Sequence, residues 1–526
     1  MQITSFADVG ALGGGAVAAA EPARRGAALA LYALVGFASG FAGPVAVGVV
    51  LDCFGGPRSA AGWAAAFAVM AIGSVVAGWA VRRVPQRRFR VGASSGTGIG
   101  ARLMSRPTAF AMGGNRVILR RLFAGRISSV PLNPQLDTLS DYPFEALRTL
   151  LNPVTPRVND APIVMSLGEP QHQPPALLTE TLAAHAQEWN RYPPMAGIPE
   201  LRQAIVDWLS RRYRLAAGAL DPDRNILTLA GTKEGLYLFS SLVVPREKAG
   251  RTPVVLVPNP YYLVYNGAAT MAGADAVFLD ATRDNDFMPD LAAIPRETLE
   301  RTALFYLCSP ANPQGTVASL DYLKQAIGLA RQYDFVLAVD ECYAEIYDRA
   351  PPPGALEACA ALGDGFDRVV VFHSLSKRSS AAGLRSGFVA GDPKLIGHFS
   401  HLRSYGGCQV PLPIQAAATA LWRDEAHVEE NRARYRRKFD IAEAALAGRY
   451  GFYRPDGGFF LWLEVGDGEA ATLRLWRDAA IRVLPGGYTA RAADGRANPG
   501  EAYIRLAIVH DEATLETACE RIRRVL

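Results

Sequence analysis

Between residues 225 and 373 the chain repeats one pattern: a short, largely apolar run, then a longer stretch with helical spacing. The runs are NILTLA (225–230), PVVLVP (253–258), DAVFLD (275–280), ALFYLC (303–308), FVLAVD (335–340) and RVVVFH (368–373). Helical patterns lie between most of them, as in LDYLKQAIGLARQYD (320–334). A strand buried on both faces reads as a continuous apolar run, and parallel neighbours need a helical crossover. The pattern therefore predicts an α/β fold, a mostly parallel sheet with helices on both faces. Ligands in such folds gather at the carboxyl ends of the strands.

The residues at those ends are chemically distinctive. After the first run, Gly231, Thr232 and Lys233 open a helix, where free N–H groups and the helix dipole favour a phosphate; taken alone, Gly-Thr is also an ordinary helix entry. After the second come Tyr261, Tyr262 and Tyr265, which suit either ring stacking or core packing. After the fourth, Asn312 sits between two prolines in SPANPQG, a turn that aims its amide. Asp340 closes the fifth run, and a carboxylate at the end of so apolar a strand needs a cationic partner. Tyr343 follows three residues later. The sixth run opens into SLSKRSSAAGLRSG, which carries Ser374, Lys377 and Arg385.

Lysine is scarce: only six occur in 526 residues. Lys248, Lys324, Lys394 and Lys438 read as polar surface positions, and Lys233 lies at a helix start. Lys377 is left at a strand end. A lysine for a Schiff base, a carboxylate for a pyridine nitrogen, an aromatic cover and a phosphate cradle are what pyridoxal 5'-phosphate requires.

A chain of this length exceeds one compact core, so two or more domains are expected. The six cysteines show no C-x-x-C spacing and the seven histidines no H-x-x-x-H pair. That favours a reducing, cytoplasmic setting and gives a metal site no support. Residues 1–131 hold fourteen arginines against three acidic residues, so the whole-chain charge of +5 leaves −6 for residues 132–526. The body therefore carries no nucleic-acid footprint.

Within that basic extension, 26–51 and 59–81 are uncharged apolar runs flanked by arginines. Each is long enough to span a hydrocarbon core of ~30 Å. One reading is a two-helix membrane hairpin with both ends cytoplasmic, followed by an arginine-rich linker; it would tether the protein to the inner membrane. The rival reading is translated non-coding sequence, with the protein beginning near Leu132, where ordinary charge balance sets in. A signal peptide is disfavoured, because a second apolar run follows the first.

The ordered motifs YPPMAGIPELRQAI, GTKEG, NPYYLVY, SPANPQG, VDECYAEIY, HSLSKRS with GLRSG, and YIRLA resemble the fold-type I, class I/II aminotransferases across about residues 132–526. The resemblance implies a pyridoxal-phosphate-dependent transferase fold type I. Its large cofactor-binding domain would span about 166–411, and a smaller α+β domain would combine about 132–165 with 412–526. Lys377 would carry the cofactor and shuttle the proton, and Asp340 would pair with the pyridine nitrogen. Tyr343 and Asn312 would bond the ring hydroxyl oxygen, and Tyr262 would stack on the ring. Gly231, Thr232, Lys233, Ser374 and Arg385 would hold the phosphate, joined by Tyr192 from the neighbouring subunit of a homodimer. Arg505 and the backbone of Gly168 would bind the substrate α-carboxylate. Substrates would be amino acids and 2-oxo acids.

Within the superfamily, the loop SLSKRS…GLRSGFVAGD and the late VLPGGYTARAADGRANPGEAYIRLA are most similar to succinyldiaminopimelate aminotransferases of lysine and diaminopimelate biosynthesis. Those more often read SNVPGLRSG where this chain has Ser380, Ala381 and Ala382. A distal substrate carboxylate would need a second cation, for which Arg378 and Arg403 are candidates by composition. The runner-up is a broader aspartate- or alanine-type aminotransferase. A pyridoxal-containing transcription regulator lacks its helix-turn-helix here, and a degenerate enzyme fused to a transporter lacks any degeneration of the lysine, aspartate and arginine.

Overall fold

A computed structural model describes residues 133–139, 142–493 and 495–526. The two apolar runs and the arginine-rich linker lie outside the described residues. Among the described residues no helix is long and apolar enough to cross a membrane.

Each predicted run forms a strand: β1 Ile226–Leu229, β2 Val254–Asn259, β3 Asp275–Asp280, β4 Thr302–Cys308, β5 Val336–Asp340 and β6 Val369–Ser374. A seventh, β7 Gly387–Gly391, lies within the glycine-rich GLRSGFVAGD and completes a sheet of order β1-β7-β6-β5-β4-β2-β3. Five strands from β6 to β3 run parallel, whereas β7 is antiparallel to both β1 and β6.

The continuous apolar runs have a direct cause. Val369 and Val371 enter one core, while Val370 and Phe372 enter the core on the opposite face. All four are fully buried, and each contributes about 1.5–3 kcal/mol relative to exposure. Helices α2 Ala176–Ala184, α3 Pro199–Arg212 and α6 Leu320–Gln332 cover the first face; α4 Thr232–Val243 and α5 Leu263–Met271 cover the second. Ser319 starts α6 by accepting a hydrogen bond from Tyr322 N at 3.1 Å.

A second core is built by three antiparallel strands, β8 Phe460–Glu464, β9 Leu484–Pro485 and β10 Tyr503–Ala507, in the order β9-β10-β8. It is covered by α8 Ala426–Leu446, α9 Gly468–Ala479 and α10 Glu512–Val525. Ile163 and Met165 belong to this core, and α1 Pro143–Leu151 packs Leu147 and Leu151 against Leu484. Helix α7 Leu412–Arg423 packs elsewhere: Leu421 and Trp422 join the large core, with the Trp422 ring 4.7 Å from that of Trp208.

The register sets out one working edge. Cys308 pairs with Asp340 across β4 and β5, and Asp340 with Phe372 across β5 and β6. Because β7 is antiparallel, its first residue Gly387 faces Ser374, the last of β6. The reversal brings Arg385, just before β7, to the same edge as the other strand ends.

Candidate active site

At that edge a cavity of about 530 Å³ is lined by Lys377, Asp340, Tyr343, Tyr262, Asn312, Ser374, Arg385, Thr232, Lys233, Gly168 and Arg505. The second-core strands supply Phe460, Leu484 and, from β10, Arg505, so the cavity lies between the large sheet and the second core. Gly231 abuts the cavity through Arg385. Tyr192 is not brought to it: the ring is 99% exposed on the surface of its own chain.

Lys377 lies in the single helical turn Leu375–Arg378 that Ser374 caps, accepting from Ser376 N at 3.1 Å. Its amine donates to the carbonyl oxygen of Gly168. Burial pulls that amine down to about 8, because desolvation disfavours the charged form. A buried lysine amine of lowered basicity is nucleophilic near neutrality.

Asp340 is buried at the end of β5. Tyr265 Oη donates to its Oδ2 at 2.8 Å and Cys342 N to its Oδ1 at 3.2 Å. Burial pushes the carboxyl above its usual range; these two donors, with His373 behind, work against the shift. No lysine or arginine pairs with Asp340 among the described residues, so its carboxyl stands open as a counter-charge for a cationic group in the cavity.

Arg505 is buried as well. It donates to Asn312 Oδ1 at 3.0 Å and Ser166 O at 2.9 Å, and its guanidinium lies 4.4 Å from the Phe460 ring centre. No carboxylate pairs with it among the described residues. Its buried Nε lacks a hydrogen-bond partner, and burial pulls the group down to about 10. An arginine left so is a receptor for an anionic ligand.

The phosphate side is shaped by backbone. Gly231 has φ +86°, and a Cβ there would lie 2.1 Å from Arg385 Nη2; only glycine lets the helix start and the guanidinium approach. Arg385 itself donates to Ala382 O at 3.0 Å. Thr232 Oγ1 lies 3.2 Å from Cys342 Sγ, and Ser374 Oγ 2.9 Å from Ser376 Oγ. At Gly168 a Cβ would meet Phe460 Cζ at 2.6 Å. A nucleophilic amine, a buried carboxylate awaiting a cation and a hydroxyl-and-arginine cradle fit pyridoxal phosphate.

Sequence reading overlooks three contributors: Tyr142, Glu169 and Cys342 line the cavity. Ser376, a loop hydroxyl in the sequence, lines it as well, and Tyr265, which suits stacking or core packing, donates to Asp340. Glu169 stands beside Gly168, a usable signal; Tyr142, ahead of α1, gives none. Three expectations are corrected. Arg378 is buried away from the cavity, donating to Leu421 O and Glu425 Oε1, both at 2.8 Å. Arg403 is committed to Glu234, Thr228 O and Cys408 O. Lys438 is fully buried rather than a surface position, because its face of α8 turns into the second core.

The family profile described as Aminotransferase class I and II matches residues 162–522. A crystal structure of an aminotransferase from Neisseria meningitidis Z2491 is 40% identical, with a TM-score of 0.71, covering 75% of this chain and 99% of that one. LL-diaminopimelate aminotransferase of Moorella thermoacetica is 32% identical over 69% of this chain and 90% of its own length. The transaminase OxyQ of Streptomyces rimosus, acting on 4-dedimethylamino-4-oxo-anhydrotetracycline, is 33% identical over 69% of this chain and 93% of its own. With the folded frame and the lysine–aspartate–arginine cavity already in place, these likenesses settle the family: the chain belongs to the class I and II aminotransferases, enzymes that use pyridoxal 5'-phosphate.

Proposed function

We propose that the chain is a succinyldiaminopimelate transaminase, with glutamate as amino donor and N-succinyl-2-amino-6-oxopimelate as acceptor. One observation carries this reading. Of the four cations lining the cavity, Lys377 is reserved for the cofactor, Arg385 for its phosphate and Arg505 for the α-carboxylate. Lys233 remains, 5.8 Å from the Tyr142 ring centre and with no carboxylate partner among the described residues. A lysine so placed suits a distal carboxylate, which both glutamate and the succinylated acceptor possess.

When bound, the cofactor supplies an electron sink for the carbon that loses its proton. The chain's residues do the rest. Lys377 Nζ takes that proton and returns it. Asp340 would pair with the ring nitrogen of the cofactor. Tyr343 and Asn312, whose amide oxygen accepts from Arg505, would donate to its ring oxygen. Tyr262 would cover the ring, and Thr232, Ser374 and Arg385 would hold the phosphate. Arg505 and Gly168 orient the α-carboxylate. Exposed Tyr192 is assigned to the site of a second subunit; a fully active monomer would refute that assignment.

A second reading rests on Glu169. A carboxylate in the cavity wall favours a substrate whose far end also bears an ammonium, as in LL-diaminopimelate. Single-turnover half-reactions with glutamate, aspartate, alanine, N-succinyl-LL-diaminopimelate and LL-diaminopimelate decide. The succinylated substrate should react fastest after glutamate; negligible reaction with it overturns the first reading. For residues 26–81, sedimentation of the full-length chain with membranes supports a tether and recovery in the supernatant overturns it.

A further inference from the structure

We propose that His172 and Lys438 form a one-proton latch that holds the Gly168 segment over Lys377. Residues Asn431, Tyr435 and Lys438 are spaced by four and three on α8 and so share one helix face. All three are buried, at 7%, 1% and 0% exposure. That face frames Lys377 from two sides.

At the upper end, Asn431 Nδ2 lies 3.2 Å from both Lys377 O and Arg378 O, fixing the backbone of the lysine. In the middle, the Tyr435 ring stacks on Phe459 at 5.5 Å, and the Phe459 ring centre is 5.3 Å from Lys377 Nζ. At the lower end, Lys438 Nζ lies 2.7 Å from His172 Nε2 and 4.7 Å from the Tyr435 ring centre. His172 meets the same ring edge-on at 5.7 Å. It stands four residues beyond Gly168, whose carbonyl accepts from Lys377. The segment 168–172 is therefore anchored at one end on Lys377 and at the other on Lys438.

The lower anchor joins two bases. An amine and an imidazole meet at hydrogen-bond distance only if one nitrogen presents a lone pair to a proton on the other. The pair can thus keep its contact with one proton, or as two neutral groups, but not when both are protonated. No carboxylate lies within ion-pair distance of Lys438 among the described residues. The charged groups facing it are Asp511 and Glu512 at the start of α10 and Arg434 and Arg437 on α8, of opposing effect; Tyr435 completes the surroundings. Burial pulls Lys438 down to about 7 and His172 to about 4. Descending in pH, the pair takes its first proton without separating and separates on the second, so the latch is closed at neutrality and opens in acid.

The holoenzyme tests this with Lys438→Met and His172→Gln, read by hydrogen exchange of peptides within 163–175 and by glutamate kinetics, neither of which depends on the identity of the acceptor. In the unmodified enzyme, exchange corrected for its intrinsic rate should rise between pH 5 and 3, around the value of about 4 at which His172 takes the second proton. Lys438→Met should exchange about tenfold faster at pH 7.5, with no further step in acid. Its KM for glutamate should rise about tenfold while kcat stays within about twofold. His172→Gln keeps an acceptor for the lysine but cannot take the second proton, so it should stay protected across the range. Unchanged exchange and KM in Lys438→Met overturn the latch. A surviving acid step in His172→Gln also overturns it, and that variant carries the test alone if Lys438→Met does not fold.

Discussion

Tyr265 donates a hydrogen bond to Asp340 Oδ2 at 2.8 Å, from a ring stacked on Tyr306 at 4.8 Å and 14°. The carboxylate that must balance a charged cofactor ring is thus held by a phenol clamped inside the core. Phe at position 265 would preserve the stacking and remove only the donor. Tyr265→Phe should weaken cofactor affinity about tenfold or more, as for loss of a hydrogen bond to a charged group, with little loss of stability. Fluorescence titration of the apoenzyme measures this; unchanged affinity would show that Cys342 N suffices.

Lys377→Ala should abolish the visible absorbance of the lysine-bound cofactor and lower turnover at least about 10⁴-fold, beyond the usual range for a proton-transfer group alone. A retained band would mean that another lysine carries the cofactor.

The pH dependence of cofactor capture reports the same amine. Burial lowers Lys377 to about 8, so its neutral, attacking form accumulates as pH rises through that value. The rate at which apoenzyme takes up pyridoxal phosphate should reach half its maximum near pH 8 and level off about one unit above it. A rate still climbing toward the range of an exposed lysine would contradict the buried assignment.

Lys233→Ala should raise KM for glutamate and the succinylated substrate about tenfold or more, the scale of one charge-assisted contact, and leave alanine nearly unaffected. Equal losses for all three would place Lys233 on the phosphate instead.

Ser380 stands at φ +49°, a left-handed conformation that costs a residue with a Cβ roughly 1–2 kcal/mol and that asparagine tolerates better. Ser380→Asn should therefore stabilise the protein by about 0.5–1 kcal/mol, read as a higher denaturant midpoint with unchanged slope. A lower midpoint would mean that the Ser380 hydroxyl, 3.4 Å from Asn431 Oδ1, matters more than the backbone.

What is local is written in the sequence. Strands buried on both faces must be apolar throughout, so β1 to β6 are legible as runs, and a lysine, an aspartate and an arginine at or beside strands are legible as chemistry. β7 was hidden because its glycines and small residues read as loop; as the antiparallel strand it is what turns Arg385 toward the other strand ends. Tertiary structure alone decided which polar side chains are spent. Arg378 and Arg403 look free in sequence and are consumed by carbonyls and carboxylates of distant segments, whereas Lys233, read as a helix start, remains open. Lys438 lies in a run of charged residues on α8, yet one face of that helix is buried and sets the lysine against His172, 266 residues away. Periodicity registers which residues repeat along one element; the partner that each meets across space depends on how the elements pack.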